Sequence, residues 1–277
     1  MIITRKDYDA ILSAKNQKLK QVSLYLDLGT LETEVALQET FAVIEGYKIP
    51  FDLNIKENFC YNIDAGKLKP VSIFSDKTNI YYKLVPTEDW PTVTLSSCPM
   101  HKITLSTPKK DTECKIKPLN PRGIVLDTCF GLGYTSILAS LRADKVYAFE
   151  KDENILEIAK INPFSRPAFE NSKIVVSKGD ISHGIKQFKN SFFHCVIHDP
   201  PTLKLAPELY QNEFYNEIYR VLKENGKLYH YVPMPGISKG KDFSKVIEYK
   251  LKEAGFHKLI FNSDAQGFYC VKIATVA

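Results

Sequence analysis

The chain lacks the features that mark several large protein classes. Its six cysteines, at 60, 98, 114, 129, 195 and 270, are too widely spaced for any CxxC pair, which excludes zinc-ribbon and dithiol redox spacing. They are expected to be reduced and mostly buried. Thirteen glycines without a triplet period exclude a collagen-like chain. No apolar run approaches the roughly 18 residues of a membrane helix; Phe192 to Ile197 is among the greasiest stretches. Residues 1–20 carry neither an apolar central segment nor a small-residue cleavage site, so no secretory signal is expected, and a soluble cytoplasmic protein without membrane contact is. No His, Cys and acid group has metal-ligand spacing, and no GxSxG elbow is present; no metal is expected. A net charge of +5 over 277 residues is mild. It permits contact with a polyanion without demanding one.

The remaining composition, 44% hydrophobic and 25% charged, is that of a globular protein with a sizeable core. Its texture changes near residue 120. Before it, strand-like runs dominate: Ser23–Leu28, Glu34–Gln38, Val71–Phe74, Ile80–Val85, Pro91–Leu95 and Lys102–Leu105. Ser75–Asn79 reads as a hairpin turn, and only the first twenty residues look helical. Pro108, Pro118 and Pro121 mark a passage. Afterwards strands and helices alternate, which predicts a doubly wound, mostly parallel sheet. The expected organisation is a β-rich domain over 1–120, placed for substrate docking, and an α/β domain over 121–277. Lys239, Lys241, Lys245, Lys250 and Lys252 are interleaved with Asp242, Glu248 and Glu253, which reads as a solvated helix face rather than a phosphate patch.

The sharpest feature is Val125-Leu-Asp-Thr-Cys-Phe-Gly-Leu-Gly-Tyr-Thr135. A strand ends at an acid, and two glycines open a helix. Glycines let a ligand approach the backbone, and a helix N-terminus offers unpaired N–H groups. A dinucleotide fold would place GxGxxG directly after the strand; here Asp127 and three further residues precede Gly131, which suits a cofactor without a pyrophosphate. Glu150 follows the strand 145–149 and Asp180 the strand 173–177. Ligands of doubly wound sheets sit at the carboxyl ends of strands. A carboxylate past the second strand can take both hydroxyls of a ribose, and one past the third can meet an adenine amine.

These residues resemble the class I S-adenosylmethionine-dependent methyltransferases. The turn is similar to that family's first motif, Asp-x-Gly-x-Gly-x-Gly, with Cys129 in place of the first glycine. The resemblance implies a Rossmann-like, seven-stranded doubly wound sheet and S-adenosyl-L-methionine as cofactor. It implies that the donor lies over Asp127, Cys129, Gly131, Gly133, Tyr134 and Thr135. The ribose would lie at Glu150 and Lys151, and the adenine near Asp180 and Ile181. The whole chain, including Pro99-Met-His101, Asn162-Pro163 and His198-Asp-Pro-Pro201, is similar to uncharacterised predicted archaeal methyltransferases. Through that likeness alone, His101 becomes a lid or substrate residue; a buried or surface histidine is the competing reading.

His198-Asp-Pro-Pro201 ends a buried strand. Prolines fix the loop and remove two N–H donors, so the Asp199 carboxylate and nearby carbonyls can accept hydrogen bonds from an amine. An amine attacks a sulfonium methyl only with its lone pair free, and acceptors that orient its hydrogens help. The segment resembles the Asp/Asn-Pro-Pro-aromatic motif of amine methyltransferases, with Thr202 where the aromatic stands. Amine-methylating tRNA wobble-uridine enzymes, which also lack the aromatic, are the closer parallel. Asp199 is therefore expected to orient the nucleophile and to border the donor, with Pro200, Pro201 and Thr202 on the substrate side. Strand alternation turns His198 away and lets only one of His230 and Tyr231, the other catalytic candidates, face the pocket.

The expected activity is methylation of an amine nitrogen in RNA, with tRNA favoured and a small-molecule amine as the alternative acceptor. Two other functions share the fold: a polyamine aminopropyltransferase using decarboxylated donor, and a non-catalytic scaffold. The sequence leaves the oligomeric state open.

Overall fold

The computed structural model describes residues 1–233 and 243–273. Lys239, Lys241 and Asp242 of the lysine-rich stretch lie outside them. The chain forms two compact units, Met1–Pro108 with Glu157–Arg166, and Lys109–Leu156 with Pro167–Ala277.

The first unit runs β1 (Ile2–Ile3), α1 (Arg5–Asn16), β2 (Gln21–Leu26), β3 (Leu31–Leu37), β4 (Phe41–Ile44), β5 (Tyr47–Pro50), β6 (Tyr61–Asp64), β7 (Lys67–Pro70), β8 (Ser72–Ser75), β9 (Ile80–Val85), β10 (Thr92–Leu95) and β11 (Cys98–Pro99). A capping box of Thr4 and Asp7 starts α1, satisfying N–H groups that the helix cannot. Alternating apolar residues of β3 and β4, among them Val35, Leu37, Ala42 and Ile44, bury one sheet face with Tyr8 and Ile11 of α1. The expected hairpin is present, with β8 antiparallel to β9. Lys102–Leu105 is not a strand. Leu105 is fully exposed with φ +59°, a left-handed conformation that breaks extended backbone. Cys98–Pro99 pairs with β10 instead.

The second unit, apart from Pro108, residues 157–161 and Arg166, which belong to the first, continues α2 (Pro108–Leu119), β12 (Gly123–Asp127), α3 (Tyr134–Ser140), β13 (Ala143–Glu150), α4 (Glu153–Ile161), α5 (Arg166–Glu170), β14 (Ile174–Lys178), α6 (Ile181–Gly184), β15 (Phe193–His198), α7 (Asn212–Val221), β16 (Leu222–Tyr231), α8 (Phe243–Glu253), β17 (Phe256–Asn262) and β18 (Gly267–Lys272). Its seven strands follow the order β14-β13-β12-β15-β16-β18-β17. The first five are parallel; β18 runs antiparallel to β16, and β17, antiparallel to β18, points the same way as the first five. This is the mixed α/β architecture with a seven-stranded, mostly parallel sheet that the alternation of elements predicts. Val196, Leu228, Phe193, Ile218 and Phe214 lie within one core cluster beside the sheet. No helix among the described residues is long and apolar enough to cross a membrane.

The proline-marked passage is in fact helix α2. Pro108 occupies its first position, where a missing N–H costs nothing. Pro118 lies in its last turn and cannot donate to the carbonyl four residues back. That carbonyl, of Cys114, instead accepts from the Tyr269 hydroxyl at 2.8 Å. A strand residue thus repairs the bond that the proline removes.

Candidate functional site

Asp127 is the last residue of β12, in register with Ala148 of β13 and Ile197 of β15. Its Oδ2 accepts from the hydroxyls of Thr135 at 2.7 Å and Ser136 at 2.6 Å, tying the strand end to the first turn of α3. Oδ1 is buried and has no hydrogen-bond partner among the described residues. Burial pushes the Asp127 carboxyl up to about 6, against the two hydroxyls that hold it down. Between strand and helix, Gly131 and Gly133 take φ of +57° and +78°. A Cβ on Gly133 would come within 2.5 Å of the Phe130 ring. Cys129 has no positive φ, so it stands where the family motif has glycine without backbone strain. Burial, then Glu150, drives its thiol upward.

Glu150 ends β13 and reaches back to the turn. Its Oε2 accepts from Gly131 N and its Oε1 from Asp152 N, each at 2.8 Å. A carboxylate has about four acceptor positions. Burial lifts Glu150 to about 7, while these backbone donors pull it back. Asp180 caps α6 through Ser182 N at 2.9 Å and pairs with Lys151 at 2.7 Å. Burial works to raise it, but Lys151 and Ser182 outweigh that and lower it. Lys151 also bridges to Glu208 at 3.0 Å. Ile181, Tyr134 and Thr135 are buried.

Asp199 follows β15, the strand that pairs with β12. Its Oδ2 meets Lys115 Nζ at 2.8 Å, and the same ammonium pairs with Asp111 at 3.0 Å. Lys115 and Asp111 are almost fully buried, whereas the Asp199 side chain is 20% exposed. Burial alone would lower Lys115, but Asp199 and then Asp111 outweigh it, so its charge is held on. The Tyr231 ring lies 5.3 Å from that ammonium. Pro200 is buried, Pro201 and Thr202 are exposed, and Tyr210 OH donates to Pro201 O at 2.8 Å.

The histidines separate. His230 is fully buried. Its Nδ1–H donates to Tyr231 O at 2.6 Å, and its Nε2 accepts from Tyr215 OH at 2.8 Å. Both ring nitrogens are spent inside the core, and burial depresses it to about 4. His230 therefore corrects the catalytic expectation: it is a neutral core residue. Of the alternating pair, half-buried Tyr231 lies against the Lys115 and Asp199 cluster. His198 also faces inward, Nε2 donating to Leu209 O at 3.2 Å and Nδ1 accepting from Thr128 Oγ1 at 2.8 Å. His101 belongs to the other unit, where its Nδ1 is 2.9 Å from Thr92 Oγ1.

Sequence reasoning missed Lys115 and Asp111. Their i, i+4 spacing was the available signal, hidden because the prolines masked the helix. The arrangement sets Asp127, Glu150, Asp180 and Asp199 along the carboxyl edge of four neighbouring parallel strands, with a glycine turn between the first two. A buried carboxylate oxygen without a partner among the described residues and a strand-to-helix turn built on two positive-φ glycines suit a bound nucleoside carrying an amino group. The spare acceptor capacity of Glu150 suits ribose hydroxyls.

Residues 150–237 match a family described as S-adenosyl-L-methionine-dependent methyltransferase. The chain is 38% identical over 281 residues to an uncharacterized protein of Methanocaldococcus jannaschii, covering 98% of this chain and 95% of that protein. Among solved structures it is similar to spermidine synthase of Thermotoga maritima, with TM-score 0.56, 19% identity, 73% of this chain and 71% of that one. A spermidine synthase in complex with the transition-state analogue AdoDATO aligns with TM-score 0.58 and 16% identity, over 90% and 78%. MNMC2 of Aquifex aeolicus aligns with TM-score 0.51 and 20% identity, over 70% and 72%. At these identities the three structures share the fold.

Proposed function

The chain belongs to the S-adenosyl-L-methionine-dependent methyltransferases, and from that premise we propose that it methylates an amine nitrogen of RNA, tRNA foremost. The observation that carries the amine is Asp199, held at the carboxyl end of β15 by Lys115 and followed by two prolines. Asp127, the glycine turn through Cys129, Gly131 and Gly133, then Glu150, Lys151, Asp180 and Ile181 would hold the donor. When bound, it supplies an electrophilic sulfonium methyl group.

The chain's own residues orient the partner. Asp199 accepts an N–H of the acceptor and so turns the nitrogen lone pair away from itself, toward the glycine turn. Pro200 and Pro201 have no N–H to compete for that lone pair, so their carbonyls add acceptors only. Tyr210 pins the loop through Pro201 O. Most of the rate then comes from positioning. The β-rich residues 1–120 are the docking candidate for a large acceptor, and the modest positive charge permits a polyanion without selecting one.

The test is transfer from methyl-labelled S-adenosyl-L-methionine to a cell extract, split by RNase, protease and dialysis, with Asp199→Asn in parallel. RNase-sensitive label that falls on the order of 100-fold in the variant, while donor binding persists, is the expected result. Label lost on dialysis would replace RNA with a small amine. Donor binding without any label would overturn methyl transfer to these acceptors and turn attention to decarboxylated donor with polyamines. Failure to bind either donor would leave a scaffold.

A further inference from the structure

Asp111 and Lys115, which join Asp199 in one cluster, lie outside every motif that marks the donor site. Lys115 is buried and bonded to carboxylates of two different elements, one on its own helix and one at the end of β15. Its backbone is fixed as well, since the Tyr269 hydroxyl contacts both Cys114 O at 2.8 Å and Lys115 O at 3.0 Å. A buried lysine is costly unless paired and bonded on its other hydrogens. Here the pairing points at the one carboxylate expected to touch the acceptor.

We propose that Lys115, backed by Asp111, is a positioning residue that clamps Asp199 as a fixed hydrogen-bond acceptor for the nucleophile. The proposal rests on the reading of Asp199 given above. Lys115 does not touch the reacting atoms. It takes Oδ2, so the carboxylate cannot swing, and keeps an opposite charge beside it. Asp199 thereby orients an N–H over a wide pH range. The nitrogen lone pair forms the new N–C bond as the S–C bond breaks and sulfur keeps that electron pair. The surplus proton on the cationic nitrogen passes to solvent.

Among the described residues, the other titratable groups around the cluster are Asp127 at the end of β12, Cys114 on α2, Cys129 in the turn, Tyr210, Tyr229 and Tyr231 beside β15 and β16, and Tyr269 on β18. Burial first, and neighbouring charge second, raises the four phenols and Cys129, so those groups stay neutral through the acid and neutral range. Asp127 does titrate there, as does Glu150, and both belong to the donor side. Their contribution is read separately from donor affinity against pH.

The experiment measures kcat/KM against pH at saturating labelled donor, using the extract fraction that the wild-type protein labels. The proteins are wild type, Lys115→Met, Lys115→Arg, the double variant Asp111→Asn with Lys115→Met, and Asp199→Asn. Without the cation, Asp111 and Asp199 face each other and one takes a proton. The acid limb of Lys115→Met is expected to move up by about 1–3 pH units, with donor affinity unchanged. Lys115→Arg keeps the limb in place. The double variant, without the second acid, puts it between those positions and serves where Lys115→Met does not fold. A limb unmoved in both methionine variants, with activity lowered equally at every pH, would make Lys115 merely structural and overturn the proposal. Full activity of Asp199→Asn would instead overturn the reading beneath it.

Discussion

Glu150 has two tasks that compete for one carboxylate. It ties the glycine turn through Gly131 N and the start of the next loop through Asp152 N, and under the proposed function it also takes the hydroxyls of a ribose. Only the ionised form serves both without giving up an acceptor. Because burial raises it to about 7, the free protein loses that form as pH falls through 7. Asp127 follows near 6. Donor affinity is therefore expected to be flat above about pH 8 and to weaken below 7, at first by up to about tenfold per pH unit. Titration calorimetry from pH 5 to 8.5 checks this. Glu150→Gln should bind more weakly at pH 8 and lose the first break. A break near 7 that survives in Glu150→Gln would remove Glu150 from the donor site. Asp127, Glu150 and Asp180 stand at strand ends where their spacing places them, because local sequence fixes where each strand stops. Lys115 could not be read that way. Its meaning comes from a partner 84 positions away, and only the tertiary fold supplies that.

At the scale of elements, the parallel core was legible and the irregular connections were not. Buried strands such as Phe193–His198 and the amphipathic helix Asn212–Val221 carry their period in the sequence. Helix α2 does not, because its prolines are tolerated through contacts that lie elsewhere: the Tyr269 hydroxyl replaces a hydrogen bond that local sequence says is lost. The short β1, β6, β7 and β11 are defined by pairing partners more than by pattern. The loop after β15 shows the same dependence on a distant partner. It carries the proposed acceptor side, and Tyr210 ties it down through Pro201 O. Tyr210→Phe removes one hydrogen bond of about 1 kcal/mol and leaves the ring in place. It should lower kcat/KM for the acceptor severalfold while leaving donor affinity and the position of the acid limb unchanged. An equal loss in donor affinity would mean that the loop serves the donor instead.

For the whole molecule, four buried groups of the second unit make opposing contributions to stability against pH. His198 and His230 are neutral in the fold, depressed well below 6.5 and to about 4 respectively, mainly by burial. An unfolded histidine takes a proton below about 6.5. Stability from these two is thus present above that pH and lost on acidification toward the folded values. Asp127 and Glu150 act in the other sense. Raised to about 6 and 7, they hold protons in the fold that the unfolded chain has released. Their contribution is present below the unfolded values of 3.8 and 4.5 and is lost as pH rises through 6 and 7. The unfolded chain holds about one proton on its two histidines at pH 6.5 and about two near pH 5, and the folded one holds about the same numbers on its two acids. The slope of stability is set by that difference, so these groups nearly cancel and the wild-type curve should be almost flat there. Glu150→Gln removes one acid and leaves both histidines. Its stability relative to wild type should then fall on acidification, by at most about 1.4 kcal/mol per pH unit. Denaturant melts of both proteins at pH 4.5, 5.5 and 6.5 measure the difference. Parallel curves would mean that Glu150 is already ionised in the fold across that range, and would also remove the acid-side loss of donor affinity expected at the residue scale.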